Sequence, residues 1–325
     1  MDSSLSQVRP ASGRQFAIEA GPYRAVIASV GATLRVLTRA GRDLVVPFAA
    51  DQVRPFYRGA TLAPWPNRVI DGRYRLADQL APGATAPPQG AGPIQQLPLT
   101  EPARGHALHG LALWLDFAVV AQSAEAVSLA QVIEPQAGYP FRLALQVTCR
   151  LDPTSGLTWE LITQNIGSGR APHGAGPHPY LVAGPGPLDE WRLTLPVGSF
   201  IEVEPERLTP VGRRPVAGSR FDFRAPRAIG GAKIDHCFGD VAWDASGRAR
   251  AAVEHPAGGG AAISWDGDSP WLQVHTADQP TPELDRLGLA LEPMTCPPDA
   301  FNSGQDLIWL EPGQSHRVAW TIEGW

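Results

Sequence analysis

Glycine and proline punctuate this chain and limit it to short elements of secondary structure. Its 325 residues include 34 glycines and 33 prolines, and helical periodicity is almost absent. Residues 141–151, FRLALQVTCRL, alternate with period two, which puts Leu143, Leu145 and Val147 on one side. Residues 157–167 follow after a turn, so the two segments predict a β-hairpin. Short strands separated by frequent turn signals predict an all-β fold, a large antiparallel β-sandwich.

The same pattern continues on both sides of one irregular segment, which bears on the number of domains. The Pro/Gly-rich stretch 81–98 separates regions of equal β character, so we expect a long loop there and not a domain linker. We therefore expect a single domain over residues 16–325, preceded by a flexible N-terminal segment over residues 1–15.

Charge, cysteine usage and missing motifs exclude several classes of function. The chain carries 27 basic and 32 acidic residues without a basic stripe, so neither nucleic acid nor a membrane is an expected partner. Cys149, Cys237 and Cys296 lie far apart, which favours neither a thiolate zinc site nor a disulfide framework. The N-terminal residues lack the apolar core of a signal peptide, so we expect a cytoplasmic protein. A monomer and a homodimer are both compatible with the composition, and the GxGxxG, P-loop, GxSxG and HExxH motifs do not occur.

Two polar stretches in the first half of the chain are candidates for a binding site. Residues 64–74, PWPNRVIDGRY, place Asn67 and Arg68 between a Pro-rich approach and a turn. A ligand-binding pair and a solvated turn are equally compatible with this local pattern.

The second stretch, RGHALHGLALW, contains two histidines three residues apart, His106 and His109. H-x-x-H occurs in metal sites, but a third ligand is not found at a familiar spacing and the flanking glycines disfavour a helix. We therefore expect no metal here, and favour a loop histidine beside Gly110, where backbone can approach a ligand closely.

Histidine and aspartate mark two further stretches downstream. In HGAGPHPYLVAG, Pro179 biases His178 towards an extended conformation and so holds its imidazole at a defined angle. Imidazole is the side chain best suited to exchanging protons near neutral pH. In GGAKIDHCFGD, Asp235 follows a flexible Gly-Gly pair. Each is a weak signal alone.

The last stretch, LEPMTCPPDAFN, places a carboxylate after an apolar run. Alternation puts Leu287, Leu289 and Leu291 on one face of the predicted strand. Glu292 then lies on the opposite face with the small residues Gly288 and Ala290, which leaves space for a ligand. An ion pair with an arginine at a sheet edge is the competing interpretation.

Taken together in this order, the five stretches resemble the aldose 1-epimerase (galactose mutarotase) family. NRVIDGRY resembles its arginine motif, LHGLALW and HPYL resemble its two histidine motifs, and an aspartate and a late glutamate follow. EPMTCPPDAFN is similar to the glutamate motif of bacterial epimerase-like members. The resemblance covers the chain from about residue 20 to its end. It implies an antiparallel β-sandwich whose concave face binds a free sugar, without a cofactor.

The resemblance also implies roles for individual residues. His178 would be the general acid that protonates the ring oxygen, and Glu292 the base that deprotonates the anomeric hydroxyl. The remaining implied contacts to sugar hydroxyls are Arg68, His109 and Asp235. We add as substrate-binding candidates Asn67, beside this arginine, and Gln273, which shares a strand face with His275. At neutral pH a histidine acid needs a raised pKa, which a nearby carboxylate can provide, and a bell-shaped pH profile is expected.

Several alternatives stay open at the level of sequence. A hexose-6-phosphate epimerase needs an arginine cluster, for which the candidates are Arg213, Arg214, Arg220 and Arg224. A non-catalytic sugar-binding module would use the same fold, and a glycosidase would pair Asp235 with Glu292. Three tryptophans beside the motifs could stack on a sugar or belong to the core, namely Trp65, Trp114 and Trp271.

Overall fold

The computed structural model describes residues 9–76 and 92–325, and the regular secondary structure of this part of the chain consists mainly of strands, with a few single-turn helices. Its α-helix, α1, is one turn long (Ala300–Ser303), and no helix among these residues is long and apolar enough to cross a bilayer. The strands in chain order are β1 (Gln15–Ala20), β2 (Tyr23–Ala28), β3 (Thr33–Arg39), β4 (Arg42–Asp43), β5 (Thr61–Leu62), β6 (Arg68–Val69), β7 (Arg73–Arg75), β8 (Ile94–Gln96), β9 (Ala107–Leu108), β10 (Ala118–Gln122), β11 (Ala126–Ile133), β12 (Leu143–Asp152), β13 (Gly156–Asn165), β14 (Ala171–His173), β15 (Gly176–Pro177), β16 (Tyr180–Leu181), β17 (Arg192–Thr194), β18 (Val197–Val203), β19 (Pro210–Pro215), β20 (Arg227–Ala228), β21 (Asp235–Val241), β22 (Arg248–Glu254), β23 (Gly260–Asp266), β24 (Trp271–His275), β25 (Leu289–Met294), β26 (Ile308–Leu310) and β27 (Ser315–Gly324).

Two large antiparallel sheets dominate the architecture. The nine-stranded sheet has the order β10-β11-β12-β13-β27-β23-β22-β17-β20, and the six-stranded sheet has the order β16-β25-β24-β21-β18-β19. A four-stranded sheet, β1 to β4, precedes them, and short two-stranded ladders such as β6-β9 and β15-β5 connect the loops. The C-terminal strand β27 lies in the centre of the nine-stranded sheet, between β13 and β23.

One hydrophobic cluster joins both sheets and confirms the predicted single-domain β-sandwich. It includes Leu272 and Leu291 from the six-stranded sheet, and Trp265, Trp320 and Ile322 from the nine-stranded sheet. Burying a large apolar side chain stabilises the fold by about 1.5–3 kcal/mol, so this shared core holds the layers together.

The predicted hairpin is confirmed in position and orientation. β12 pairs with β13 from Leu143 opposite Asn165 to Asp152 opposite Gly156. The inward side of β12 is buried and Arg150 on its other side is exposed, as the alternation predicts.

Two predicted boundaries differ from the structure. Packed structure begins before residue 16, because Ser12 is buried and its hydroxyl donates a hydrogen bond to the carbonyl oxygen of Ala50. The segment predicted as a loop over 81–98 includes strand β8, which pairs with β7. Residues 1–8 of the terminal segment and residues 77–91, which include part of the predicted loop, lie outside the described residues.

Strand β25 carries the glutamate singled out in the sequence, and its alternation is confirmed within the strand. Leu289 and Leu291 belong to the main core, whereas Ala290 packs on the other face. The strand begins after Leu287, which is 40% exposed and does not belong to the leucine face predicted for it. It also continues to Met294, so Glu292 lies within the strand and not at its end.

Candidate active site

A cavity of about 280 Å³ opens beside strands β21, β24 and β25, close to the lower end of the usual size for small-molecule sites. All seven residues predicted for the site line it, although they come from distant parts of the chain: Asn67, Arg68, His109, His178, Asp235, Gln273 and Glu292. His275, predicted to share a strand face with Gln273, lines it as well.

His178 and Glu292 meet in the cavity. His178 Nε2 lies 3.4 Å from Glu292 Oε1, and the two residues are only 3% and 1% exposed. Backbone contacts hold the histidine, since its N–H donates to the carbonyl of Ala60 and its own carbonyl accepts from the N–H of Gly59. Glu292 is held on strand β25, which pairs with β16 on one side and β24 on the other, and it lies directly opposite Gln273 of β24. An imidazole and a carboxyl group are therefore fixed side by side facing one space.

Burial shifts the protonation of both groups towards their neutral forms. Burial raises the pKa of Glu292 well above its ordinary value, and the negative charge of Asp235 raises it further. Burial also lowers the pKa of His178 to about 3, and His275 adds to that effect. The raised histidine pKa expected from the sequence is therefore wrong, because loss of hydration outweighs the nearby carboxyl group in this enclosed position.

His109 reaches the cavity through an unusual backbone conformation. Its φ is +66°, and the next residue, Gly110, has a φ of +80°. A Cβ on Gly110 would lie 2.2 Å from the carbonyl oxygen of Ala63, so only glycine fits there. This explains the His-Gly pair physically. The His109 ring packs edge-on against His178, with centroids 4.9 Å apart.

Arg68 is the centre of a buried ionic network. Its guanidinium makes two hydrogen bonds to the carboxylate of Glu101, of 2.7 and 3.0 Å, and lies 3.7 Å from Asp235. The side-chain oxygen of Asn67 accepts a hydrogen bond from the backbone N–H of Arg68. Both side-chain groups are thus held in place before any ligand arrives.

Asp235 lies at the cavity with its carboxylate charged. Gln273 Nε2 donates a 2.7 Å hydrogen bond to Asp235 Oδ1. Burial alone would raise the pKa of Asp235, but electrostatic interaction with the neighbouring His275 and Arg68 outweighs burial and leaves that pKa below its ordinary value. The site therefore combines one ionised carboxylate, Asp235, with one that burial keeps protonated, Glu292.

Glu101 contributes to the site although the sequence analysis did not identify it. Its carboxylate holds Arg68 and also accepts a 2.8 Å hydrogen bond from Arg104. The sequence offered only an indirect signal for Glu101. A buried arginine requires a carboxylate partner, and Glu101 lies shortly before His106 and His109 in the chain.

An aromatic segment was also missed. Phe56 and Tyr57 line the cavity with φ values of +47° and +60°, and the Tyr180 hydroxyl donates to the Phe56 carbonyl. The Tyr57 ring packs against His109 with centroids 4.8 Å apart. No periodicity marks this segment in the sequence, because its role depends on contacts made in three dimensions.

None of the three tryptophans considered for sugar stacking lines the cavity. Trp65 packs in the core against Phe301, and Trp271 donates an indole hydrogen bond to Asp306. Trp114 is 54% exposed on the surface, under the guanidinium of Arg54.

The candidate phosphate-binding arginines do not converge on the cavity either. Arg213 pairs with Asp240, Arg214 with Glu202 and Arg224 with Asp222, which uses their charges at the surface. Arg220 lies over the ring of Phe221.

His106 takes no part in the cavity. It is fully buried, and its ring nitrogens contact the backbone of Asp71 and Arg207. The H-x-x-H spacing therefore does not bring its two histidines together as ligands.

Fold and site together define a class: a single-domain antiparallel β-sandwich with a polar cavity that holds an imidazole and a carboxyl group in contact. Comparison with protein families agrees. The family model described as aldose 1-epimerase matches residues 14–323, and the chain belongs to this family. Membership supports a sugar epimerase activity.

Individual relatives agree with this assignment. The uncharacterized protein YihR of Escherichia coli K12 is 36% identical over 315 residues, which cover 96% of this chain and 94% of the relative. A putative aldose 1-epimerase from the same organism has a solved structure with a TM-score of 0.76 and 22% identity, over 96% of this chain and 99% of that one. The structure of galactose 1-epimerase from Lactobacillus acidophilus NCFM has a TM-score of 0.76 and 17% identity, over 96% and 94%. At these identities the two structures establish the shared fold.

Proposed function

We propose that the protein interconverts the α and β anomers of a free aldose, with His178 and Glu292 as the acid–base pair. Family membership supports the class of reaction. The observation that carries the proposal is the 3.4 Å approach of His178 Nε2 to Glu292 Oε1 inside a cavity lined with polar groups. Arg68, His109, Asp235, Asn67 and Gln273 would hold the sugar hydroxyls.

The reaction needs two coupled proton transfers. Glu292 takes the proton of the anomeric hydroxyl while His178 delivers one to the ring oxygen. The bond between the anomeric carbon and the ring oxygen breaks, and a carbonyl forms. The aldehyde rotates about its first carbon–carbon bond and closes on the other face with the two roles reversed. Each positioned acid or base contributes a factor of about 10²–10⁴.

The pair carries a single proton throughout this cycle. It lies on His178 before ring opening and on Glu292 in the open-chain complex. The lowered pKa of His178 and the raised pKa of Glu292 favour the second arrangement in the unliganded cavity. Binding of a closed sugar therefore requires the proton to pass from Glu292 to His178, across the contact that already joins them. Arg68, whose positive charge lowers the pKa of Glu292, favours that transfer.

The alternatives fit the cavity less well. A phosphorylated substrate would require a convergent set of arginines, and the four candidates lie in surface ion pairs or over an aromatic ring outside the cavity. A binding module would not need a buried imidazole–carboxyl contact, since enclosing such groups costs free energy unless they are used.

Anomer exchange measured by NMR on a panel of free sugars and glucose 6-phosphate tests the proposal. We expect faster exchange for at least one free sugar, reduced by about 10²–10⁴ in Glu292→Gln. A matched control is Glu283→Gln, an exposed glutamate, which should keep the full rate. Saturable binding without faster exchange would favour the binding module, and acceleration confined to the phosphorylated sugar would contradict a free aldose substrate.

A further inference from the structure

The innermost part of the cavity brings together three side chains that are common metal ligands. One donor atom from each of His109, His178 and Glu292 lies within 4.8 Å of the other two, and all three residues are buried. Among the described residues, His109 Nδ1, His178 Nδ1 and Glu292 Oε2 have no hydrogen-bond partner. The other two atoms of the facing pair, His178 Nε2 and Glu292 Oε1, contact each other at 3.4 Å, so hydrogen bonds do not saturate this group of donors.

The identity and spacing of these donors suit a zinc ion. Two imidazoles and one carboxylate form a set that binds Zn²⁺ and leaves the fourth position open for water or substrate. With Zn–N and Zn–O bonds of about 2.0–2.2 Å, tetrahedral geometry separates neighbouring ligand atoms by about 3.4 Å. His178 Nε2 and Glu292 Oε1 already lie 3.4 Å apart. The His109 donor atom lies within 4.8 Å of the other two, so it has to approach by at most about 1.4 Å to reach the tetrahedral spacing.

The positive charge of Arg68, which lines the cavity with these donors, is compensated by carboxylates. The cavity lining includes two arginines, Arg68 and Arg104, and four carboxyl groups, Glu101, Asp235, Asp278 and Glu292. The charge of Arg68 is balanced by two hydrogen bonds to Glu101 and by Asp235 at 3.7 Å. Glu101 and Asp235 therefore offset the positive charge of Arg68, and a zinc ion that displaces the proton of Glu292 gains that carboxylate as an anionic ligand.

We propose that His109, His178 and Glu292 form a zinc-binding site, and that a zinc ion bound there inhibits the enzyme in competition with the sugar. The inhibitory part rests on the proposed function. Zinc displaces the proton of Glu292 to solvent and occupies the lone pairs of His178 and Glu292 that proton transfer requires, and its fourth ligand takes the space of the anomeric centre. The H-x-x-H motif does not reveal this site, because its three ligands come from three separate segments of the chain.

Metal binding is tested on the full-length protein by calorimetry with zinc chloride and by the visible absorption of added Co²⁺. We expect one zinc ion per chain and the intense bands of four-coordinate Co²⁺. His109→Asn should weaken zinc binding at least tenfold and abolish those bands. The matched control, His255→Asn, changes a half-buried histidine outside the cavity and should leave both unchanged. Equal zinc affinity in His109→Asn and the wild type would overturn the site.

Anomer exchange separates the site from its consequence. We expect zinc to raise the apparent KM without lowering kcat, and EDTA to restore the original rate. Full exchange activity at zinc concentrations that saturate the calorimetric site would overturn inhibition. A protein that binds one zinc ion through His109 but accelerates no anomer exchange would refute the proposed function while leaving the metal site in place.

Discussion

Two pairs of histidines pack ring against ring in the described part of the chain, and only one of these pairs faces the cavity. His109 and His178 pack edge-on with ring centroids 4.9 Å apart, and His173 and His316 pack edge-on at 5.5 Å. Both pairs contain ring nitrogens without a hydrogen-bond partner among the described residues. Burial lowers the pKa of all four histidines.

The two pairs differ in the residues that surround them and in their access to the cavity. His178 touches Glu292 and opens onto the cavity, whereas His173 is fully buried on β14, which pairs with β26, and packs against His316 of β27. A shifted histidine pKa is therefore no mark of catalysis by itself, since burial alone produces it. Direct contact with a buried carboxyl group and access to the cavity distinguish the pair proposed to act on the sugar.

The largest effect should appear when each pair loses one imidazole. We expect His178→Asn to reduce the rate of anomer exchange by about 10²–10⁴, because it removes the group proposed to transfer a proton to the ring oxygen. His316→Asn makes the same chemical change in the other pair and should leave the exchange rate within about twofold of the wild type. NMR exchange rates on folded protein, verified by circular dichroism, measure both. Similar reductions of the exchange rate in the two variants would show that the two pairs do not differ in their role in catalysis.

The core pair should instead affect stability as the pH falls. The folded protein keeps His173 neutral, while the unfolded chain binds a proton there below about pH 6.5, the ordinary histidine pKa. Its stabilising contribution is therefore complete above that pH and is lost as the pH falls. Around it lie His316 and, near His316, the carboxylates Asp266 and Asp268, which raise the pKa of His316 without cancelling the effect of burial.

His173→Leu removes this titration. Between about pH 7.5 and pH 5.5, its free energy of unfolding should fall by roughly 1 kcal/mol less than that of the wild type. Urea unfolding at the two pH values measures the difference. The matched control is Thr163→Val, which changes a buried residue opposite His316 but no titratable group, and should retain the wild-type pH dependence. An unchanged pH dependence in His173→Leu would show that this histidine is not kept neutral by burial.

Much of the fold could be predicted because short segments of the sequence determine it. Alternation and turn residues predict the β12–β13 hairpin and its inward face, since side chains along a strand must alternate between two sides. The insertion of the C-terminal strand β27 between β13 and β23 could not be predicted this way. Pairing between strands that are far apart in the chain depends on which apolar faces pack together. Many strands of this chain have similar composition, so the sequence does not show which of them become neighbours.

The site residues divide in the same way, into those that a local sequence motif identifies and those whose role depends on contacts with distant segments. His109 and Glu292 stand in motifs that can be read locally, and the left-handed backbone at His109–Gly110 gives one of those motifs a physical reason. Glu101 and Tyr57 could not be identified, because each acquires its role by contacting residues from another segment. The protonation state of His178 could not be predicted from the sequence either, because its pKa depends on how completely the folded protein excludes water around the imidazole.

The proton shared by His178 and Glu292 gives the prediction with the smallest expected effect, a shift in the pH dependence of kcat/KM. Two coupled groups lose their protons as a unit, so the alkaline limb of kcat/KM should report the loss of the single proton shared by His178 and Glu292. Asp235 raises the pKa of Glu292 by its negative charge. Asp235→Asn should therefore move the alkaline limb to lower pH, whatever it does to the height of the plateau. Asp240→Asn, a surface change in an ion pair with Arg213, should leave the limb in place. A limb that stays fixed in Asp235→Asn would mean that the proton lost in that range does not belong to the cavity pair.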